Sequence, residues 1–124
     1  MATVSTIVAS SVVTKETVLE TTDGLTLYYF VKGDTGKTTP QCTGTCASTW
    51  IPYTLATGTP TGTSDLTASS LGTVTNTDKN APQVTYKGWP LYTYVKDFGP
   101  GDATGNGVGG GSWLAATPDM PQHM

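Results

Sequence analysis

Apolar positions along this chain alternate with polar ones at a period of two, in short runs. Leu25, Leu27, Tyr29 and Val31 share one side of an extended segment, with Tyr28 and Phe30 on the other, since successive side chains of a strand point to opposite faces. The alternation returns with Trp89, Leu91, Thr93 and Val95 on one side and Tyr92 and Tyr94 on the other. Runs rich in Val, Ile and Thr lie at Thr3–Ala9 and Val12–Leu19, and further extended runs at Leu71–Asn76, Gln83–Tyr86 and Ser112–Ala116. Such side chains lose rotamer freedom in a helix and pack well on a pleat, so these runs predict strands. Ser10-Ser11 is a break between the first two. Asp23-Gly24 predicts a hairpin joining Val18–Thr22 to Leu25–Lys32, because Gly tolerates the positive φ of a tight turn. Thr77–Asn80 and Lys87-Gly88 predict two more turns, and only Thr43–Trp50 and Asp65–Ser70 suggest a short helical turn. Of the two faces, the one carrying Leu25, Leu27, Tyr29 and Val31 is expected to form the core. The Tyr28, Phe30, Tyr92, Tyr94 face is an aromatic stripe, expected to pack under a loop or against its twin, with a binding platform as the sharper alternative.

The pattern is a repeat. Gly24-Leu25-Thr26-Leu27-Tyr28-Tyr29-Phe30-Val31-Lys32 recurs 64 residues on, from Gly24 to Gly88, as Gly88-Trp89-Pro90-Leu91-Tyr92-Thr93-Tyr94-Val95-Lys96. The next shared landmark, Trp50 and Trp113, is shifted by 63, and the one-residue difference is Gly33, which stands between Lys32 and Asp34 where the second copy runs directly from Lys96 to Asp97. Self-similarity of this kind implies two equivalent units burying a shared core. The expectation is one compact, all-β, antiparallel domain over residues 1–124. A first repeat covers about 12–53, a Thr/Gly/Pro-rich linker about 54–64, a second repeat about 71–116, and a loose tail 117–124.

Charge narrows the partners. Charged residues make up 12% of the 124 residues, the net charge is −3, and the six basic residues are all lysine. Nucleic-acid binders cluster Lys and Arg on one face and use Arg for bidentate recognition, so nucleic acid is excluded as a partner. No run approaches the roughly 20 apolar residues that span a bilayer. Thr3–Val13 is interrupted by Thr and Ser and follows no Lys or Arg, so it is not expected to be a signal peptide.

Tyr92-x-Tyr94-x-x-Asp97 fits a Tyr-x-(Phe/Trp/Tyr)-x-x-Asp motif, and Asp97-x-x-Pro100-Gly101-Asp102-x-x-Gly105-x-Gly107-x-x-Gly110-x-x-Trp113 follows it. With Cys42-x-x-x-Cys46 and Trp50-x-Pro52, these stretches resemble the bacterial envelope lipoproteins called the "secreted repeat of unknown function", over about Val18 to Ala115. The resemblance implies a fold and an extracellular or cell-envelope location, with no established activity. In the first copy Tyr28 and Asp34 are one residue further apart than Tyr92 and Asp97.

The residues that could carry chemistry are few. The single histidine, His123, sits near the C-terminus, and there is no Gly-x-Ser-x-Gly elbow. Most carboxylates fall at turns, where short acidic side chains cap backbone amides, although Asp34 and Asp97 each close an aromatic strand. No enzyme and no cofactor are expected. Cys42 and Cys46 can come within disulfide reach in a tight turn, and in an envelope protein that bond is expected, with a free dithiol as the alternative. Weak metal candidates are Asp97, Asp102 and Asn106, as oxygen ligands, and Met120 and His123. The string Gly105-Asn106-Gly107-Val108-Gly109-Gly110 lacks the following helix of a dinucleotide site, since Ser112-Trp113-Leu114 reads as strand. These features predict a non-enzymatic envelope or extracellular structural or binding module. Tyr28, Phe30, Asp34, Tyr92, Tyr94 and Asp97 would be its contact face, toward a protein or glycan at the cell surface. The alternatives are a redox or metal-handling domain, and a self-assembling subunit that adds Thr3–Leu19 to a neighbour's sheet edge.

Overall fold

The computed structural model describes residues 3–8, 17–21, 25–54, 61–62, 71–98, 104–117, 120, 121 and 123. Its strands are β1 (Thr3–Val8), β2 (Thr17–Glu20), β3 (Tyr28–Phe30), β4 (Trp50–Pro52), β5 (Thr61–Gly62), β6 (Leu71–Asn76), β7 (Ala81–Tyr86), β8 (Trp89–Pro90), β9 (Tyr92–Tyr94) and β10 (Trp113–Ala115). The helical content is slight: one turn, α1 (Val31–Asp34), a 3-10 turn at Cys46–Ser48 and a turn at Val108–Gly111. All-β architecture follows from the β-branched and aromatic runs, as expected from their packing preference.

The aromatic strands of the two repeats lie side by side at the centre. Their sheet has the order β10-β3-β9-β4, and Tyr28 of β3 is in register with Tyr92 of β9. Around that pair the repeats exchange strands. β3 pairs with the second repeat's β10, placing Phe30 opposite Trp113, while β9 pairs with the first repeat's β4, placing Tyr94 opposite Trp50. The main chain repeats this two-fold relation. Val31 N donates to Ser112 O at 2.8 Å and Val95 N to Thr49 O at 3.0 Å; Leu27 N donates to Leu19 O and Leu91 N to Val84 O, both at 2.9 Å. A second antiparallel sheet has the order β6-β7-β8, and a third is β2-β1-β5, in which β1–β5 is parallel.

The repeat spacing mismatch is absorbed locally. Gly33 lies within α1, and the extra residue makes one helical turn where the second copy has a tight turn closed by Asp97 N donating to Tyr94 O at 3.0 Å. A Cβ on Gly33 would meet the Phe30 ring at 2.0 Å, so the ring lies directly over the glycine.

The stripe packs under loops, as expected, and three other expectations change. The central sheet buries both of its faces, one against Leu19, Leu27, Tyr29, Val84, Trp89, Leu91 and Met120 and the other around Val18, Tyr28, Cys42, Trp50, Tyr92 and Trp113. The second core exists because the loops that lead to the two tryptophans return across the stripe. The face expected to be core is core at Leu27, Tyr29, Trp89 and Leu91 but bare at one end, where Val95 is 47% and Ile51 43% exposed. The tail is held at its described residues: Met120 is buried, Trp89 Nε1 donates to Pro121 O at 2.9 Å, and His123 N donates to Lys87 O at 2.9 Å. Backbone groups there find partners that a loose tail would leave to water. Within the linker, Thr61–Gly62 forms a strand against β1. The turn at Asp23-Gly24 and the segment Asp65–Ser70 lie outside the described residues, although Thr21 N donates to Leu25 O at 2.9 Å, as a hairpin there requires.

Candidate functional site

The central feature is a pair of crossed tyrosine–aspartate contacts. Tyr28 of the first repeat donates its hydroxyl to Asp97 Oδ2 of the second. Tyr92 of the second donates to Asp34 Oδ2 of the first, at 3.0 Å. All four side chains are buried. The other carboxylate oxygens are occupied in matching ways: Gln41 N donates to Asp34 Oδ1 at 2.8 Å and Thr104 N to Asp97 Oδ1 at 3.1 Å, in each case seven residues beyond the aspartate. Thr104 Oγ1 also donates to Asp97. Gly105 N donates to the Tyr28 oxygen at 3.2 Å, and the Cys42 amide makes the corresponding bond to Tyr92. Four buried polar side chains thus leave no group unsatisfied, the condition under which burial of polar atoms is tolerated.

Loops cover the pairs with different chemistry. The 63-residue shift that takes Trp50 to Trp113 takes Cys42 to Gly105 and Cys46 to Gly109. The first loop is closed by the Cys42–Cys46 disulfide, with Cα atoms 5.1 Å apart. The second is closed by glycines. Gly105 lets the backbone pass against the rings, since a Cβ there would meet Trp50 at 2.6 Å and Tyr28 at 3.0 Å, and Gly109 turns at φ 71°.

Four rings stack between the loops. Phe30 lies on Trp113 (centroids 4.2 Å, 2° between planes), Trp113 on Trp50 (4.0 Å, 3°), and Trp50 on Tyr94 (4.1 Å, 19°). Tyr28 sets its edge on Trp50 at 5.3 Å and Tyr92 on Trp113 at 5.0 Å, an arrangement favoured by the ring quadrupole. The end rings Phe30 and Tyr94 are half-buried.

Burial sets the protonation behaviour. Desolvation pushes the Asp34 carboxyl above its ordinary value of 3.8, against the opposing pull of the Gln41 amide, the Tyr92 hydroxyl and the His123 charge. Tyr92 is held well above the ordinary phenol range, first by burial, then by the Asp34 charge and hydrogen bond. Tyr29 is raised by burial.

The six residues of the expected contact face, Tyr28, Phe30, Asp34, Tyr92, Tyr94 and Asp97, are therefore together, but four lie inside and only Phe30 and Tyr94 reach the surface. The weak metal candidates do not gather. Asp97 belongs to the Tyr28 pair, Asn106 Oδ1 accepts from Ala115 N at 2.9 Å, and Met120 is in the other core. His123 stands with its ring edge on Trp89 and Nε2 2.6 Å from the Asp34 carbonyl oxygen, which can only accept, so Nε2 carries the hydrogen. Asp102 lies outside the described residues. Among the described residues no three His, Cys, Asp or Glu side chains converge. Gln41 and Thr104 were not singled out from the sequence. The equal spacing from each aspartate was a readable signal once the two copies were aligned.

Fold and site define a duplicated all-β domain whose halves exchange strands and polar partners. The chain belongs to the family described as the secreted repeat of unknown function, whose model matches residues 12–54 and 72–117. The matched segments coincide with the two interlocked units. Comparison with the curated proteins and with the solved structures returned no match. No helix among the described residues is long and apolar enough to cross a membrane.

Proposed function

We propose that the chain is a non-enzymatic structural or binding module of the cell envelope or extracellular space. The observation that supports this reading is the inward, mutual satisfaction of the Tyr28–Asp97 and Tyr92–Asp34 pairs. A general acid or base must be within hydrogen-bond reach of a substrate, and these four groups spend their bonding capacity across the repeat interface. The contact surface is then the half-buried rim of the stripe, Phe30 and Tyr94. The family's description as secreted agrees with such a location, and with an oxidised cysteine pair.

The test is co-sedimentation of the purified protein with isolated cell-wall glycan and with envelope membranes, using the wild type and Tyr94→Ala. Saturable retention by one fraction, weakened in the variant and with the fraction chemically unchanged, is the expected result. Turnover of the wall material, or equal recovery in every supernatant, would sink this reading.

A further inference from the structure

The aromatic core has a property that packing alone does not require. Five of its six contacting rings, Tyr28, Trp50, Tyr92, Tyr94 and Trp113, are side chains that lose one electron to strong oxidants; the sixth, Phe30, does not. The two-fold relation puts Phe30 and Tyr94 at equivalent ends of the stack, so only the Tyr94 end is open to electron transfer. Behind that end every step is a direct ring contact: Tyr94 to Trp50 at 4.1 Å, Trp50 to Trp113 at 4.0 Å, and from these two indoles to Tyr28 at 5.3 Å and Tyr92 at 5.0 Å. Each terminal phenol is aimed at a carboxylate. That pairing matters because an oxidised phenol is a strong acid and holds its hole only if the proton leaves with the electron. A positioned base within hydrogen-bond reach supplies the route, and burial removes water as the competing acceptor. For packing alone, phenylalanine at positions 28 and 92 and apolar partners at 34 and 97 would suffice, without the cost of burying two carboxylates.

We propose that the aromatic core is a one-electron relay, entered at Tyr94 and ending on the Tyr28–Asp97 and Tyr92–Asp34 pairs. A high-potential one-electron oxidant of the radical class, arriving at the Tyr94 end, takes one electron and leaves the hole on Trp50, shared with the stacked Trp113. Tyr28 refills it with one electron as its O–H bond breaks and the proton passes to Asp97 Oδ2. The products are a neutral tyrosyl radical and a neutral Asp97 carboxyl group. The Tyr92–Asp34 pair does the same for Trp113, and the raised proton affinity of Asp34 favours the transfer. An external one-electron donor of the thiol or ascorbate class returns the electron, the proton goes back to the phenolate oxygen, and the protein is restored. The net change is one electron moved from donor to oxidant, with the hole kept inside, away from the envelope material around it.

The experiment is flash photo-oxidation of the intact, disulfide-bonded protein by a ruthenium(II) tris-bipyridine sensitiser with persulfate, followed by transient absorption and electron paramagnetic resonance. Circular dichroism melts check the fold of each variant. The wild type is expected to pass from a tryptophanyl to a long-lived tyrosyl signal, with slower transfer in D2O. The double variant Y28F/Y92F should keep the hole on tryptophan or on Tyr94. Asp97→Asn with Asp34→Asn, which keeps the side-chain shapes and removes both bases, should slow the tyrosyl step by on the order of a hundredfold, the lower end of what a positioned base contributes. Tyr94→Phe should slow entry without changing the later steps. A tyrosyl signal of the same yield and lifetime in Y28F/Y92F as in the wild type would overturn the proposal. So would a tyrosyl step unaffected by the double Asn variant.

Discussion

Asp34 concentrates the residue-scale physics. Its carboxyl is raised chiefly by burial, so the folded chain binds that proton more tightly than the unfolded chain does. The contribution is therefore fully present below the ordinary value of 3.8, and it is lost as pH rises through the higher folded value. Asp34→Asn should remove that part of the pH dependence. Urea midpoints measured from strongly acid solution up to neutrality should decline less for the variant than for the wild type across that window, and an unchanged decline would contradict the assignment. Gly105 is the second sensitive residue. Gly105→Ala must push the Trp50 and Tyr28 rings aside, and overpacking of this kind costs about 1–3 kcal/mol. The expected readouts are a lower melting temperature and a weaker near-ultraviolet circular dichroism signal from the Trp50–Trp113 stack.

At the scale of elements, the two covering loops solve one problem with different means. Loop 35–49 carries a covalent clasp at Cys42–Cys46, and its partner has Gly105 and Gly109 at the same places. Closing so short a ring restricts the unfolded chain by about 2 kcal/mol. Reduction, or Cys42→Ala with Cys46→Ala, should thus lower the unfolding free energy by about that amount while the fold persists. A chemical denaturation series with and without reductant decides it, and collapse of the native signal on reduction would mean that the clasp holds far more than its own loop. Several elements were legible because each is set by local chemistry: the β3 and β9 runs, the Thr77–Asn80 turn, and the short helical turn near Cys46. The role of α1 was not. The one-residue mismatch at Gly33 read as a departure from the motif, whereas the helical turn returns Asp34 to the place that matches Asp97.

The whole molecule is decided by exchange. Each tryptophan strand pairs with the other repeat's aromatic strand, and each tyrosine bonds the other repeat's aspartate. Neither half contains the complete central sheet or a satisfied tyrosine–aspartate pair, so the halves should not fold alone. Two fragments divided within the 55–60 segment should each lack near-ultraviolet circular dichroism and recover it on mixing, and the intact chain should unfold in a single transition by every probe. A native-like signal from either fragment alone would refute the interlocked arrangement. The sequence by itself determined the strand class, the duplication and the cysteine pair, because period-two alternation and a repeated motif are properties of neighbouring positions. Only the tertiary structure decided that the tyrosine–aspartate pairs cross between repeats, that the repeats exchange their tryptophan strands, and that the described tail residues are docked. Those outcomes depend on which buried donor finds which acceptor across 58 and 69 residues of chain, and spacing along a strand carries no information about that choice.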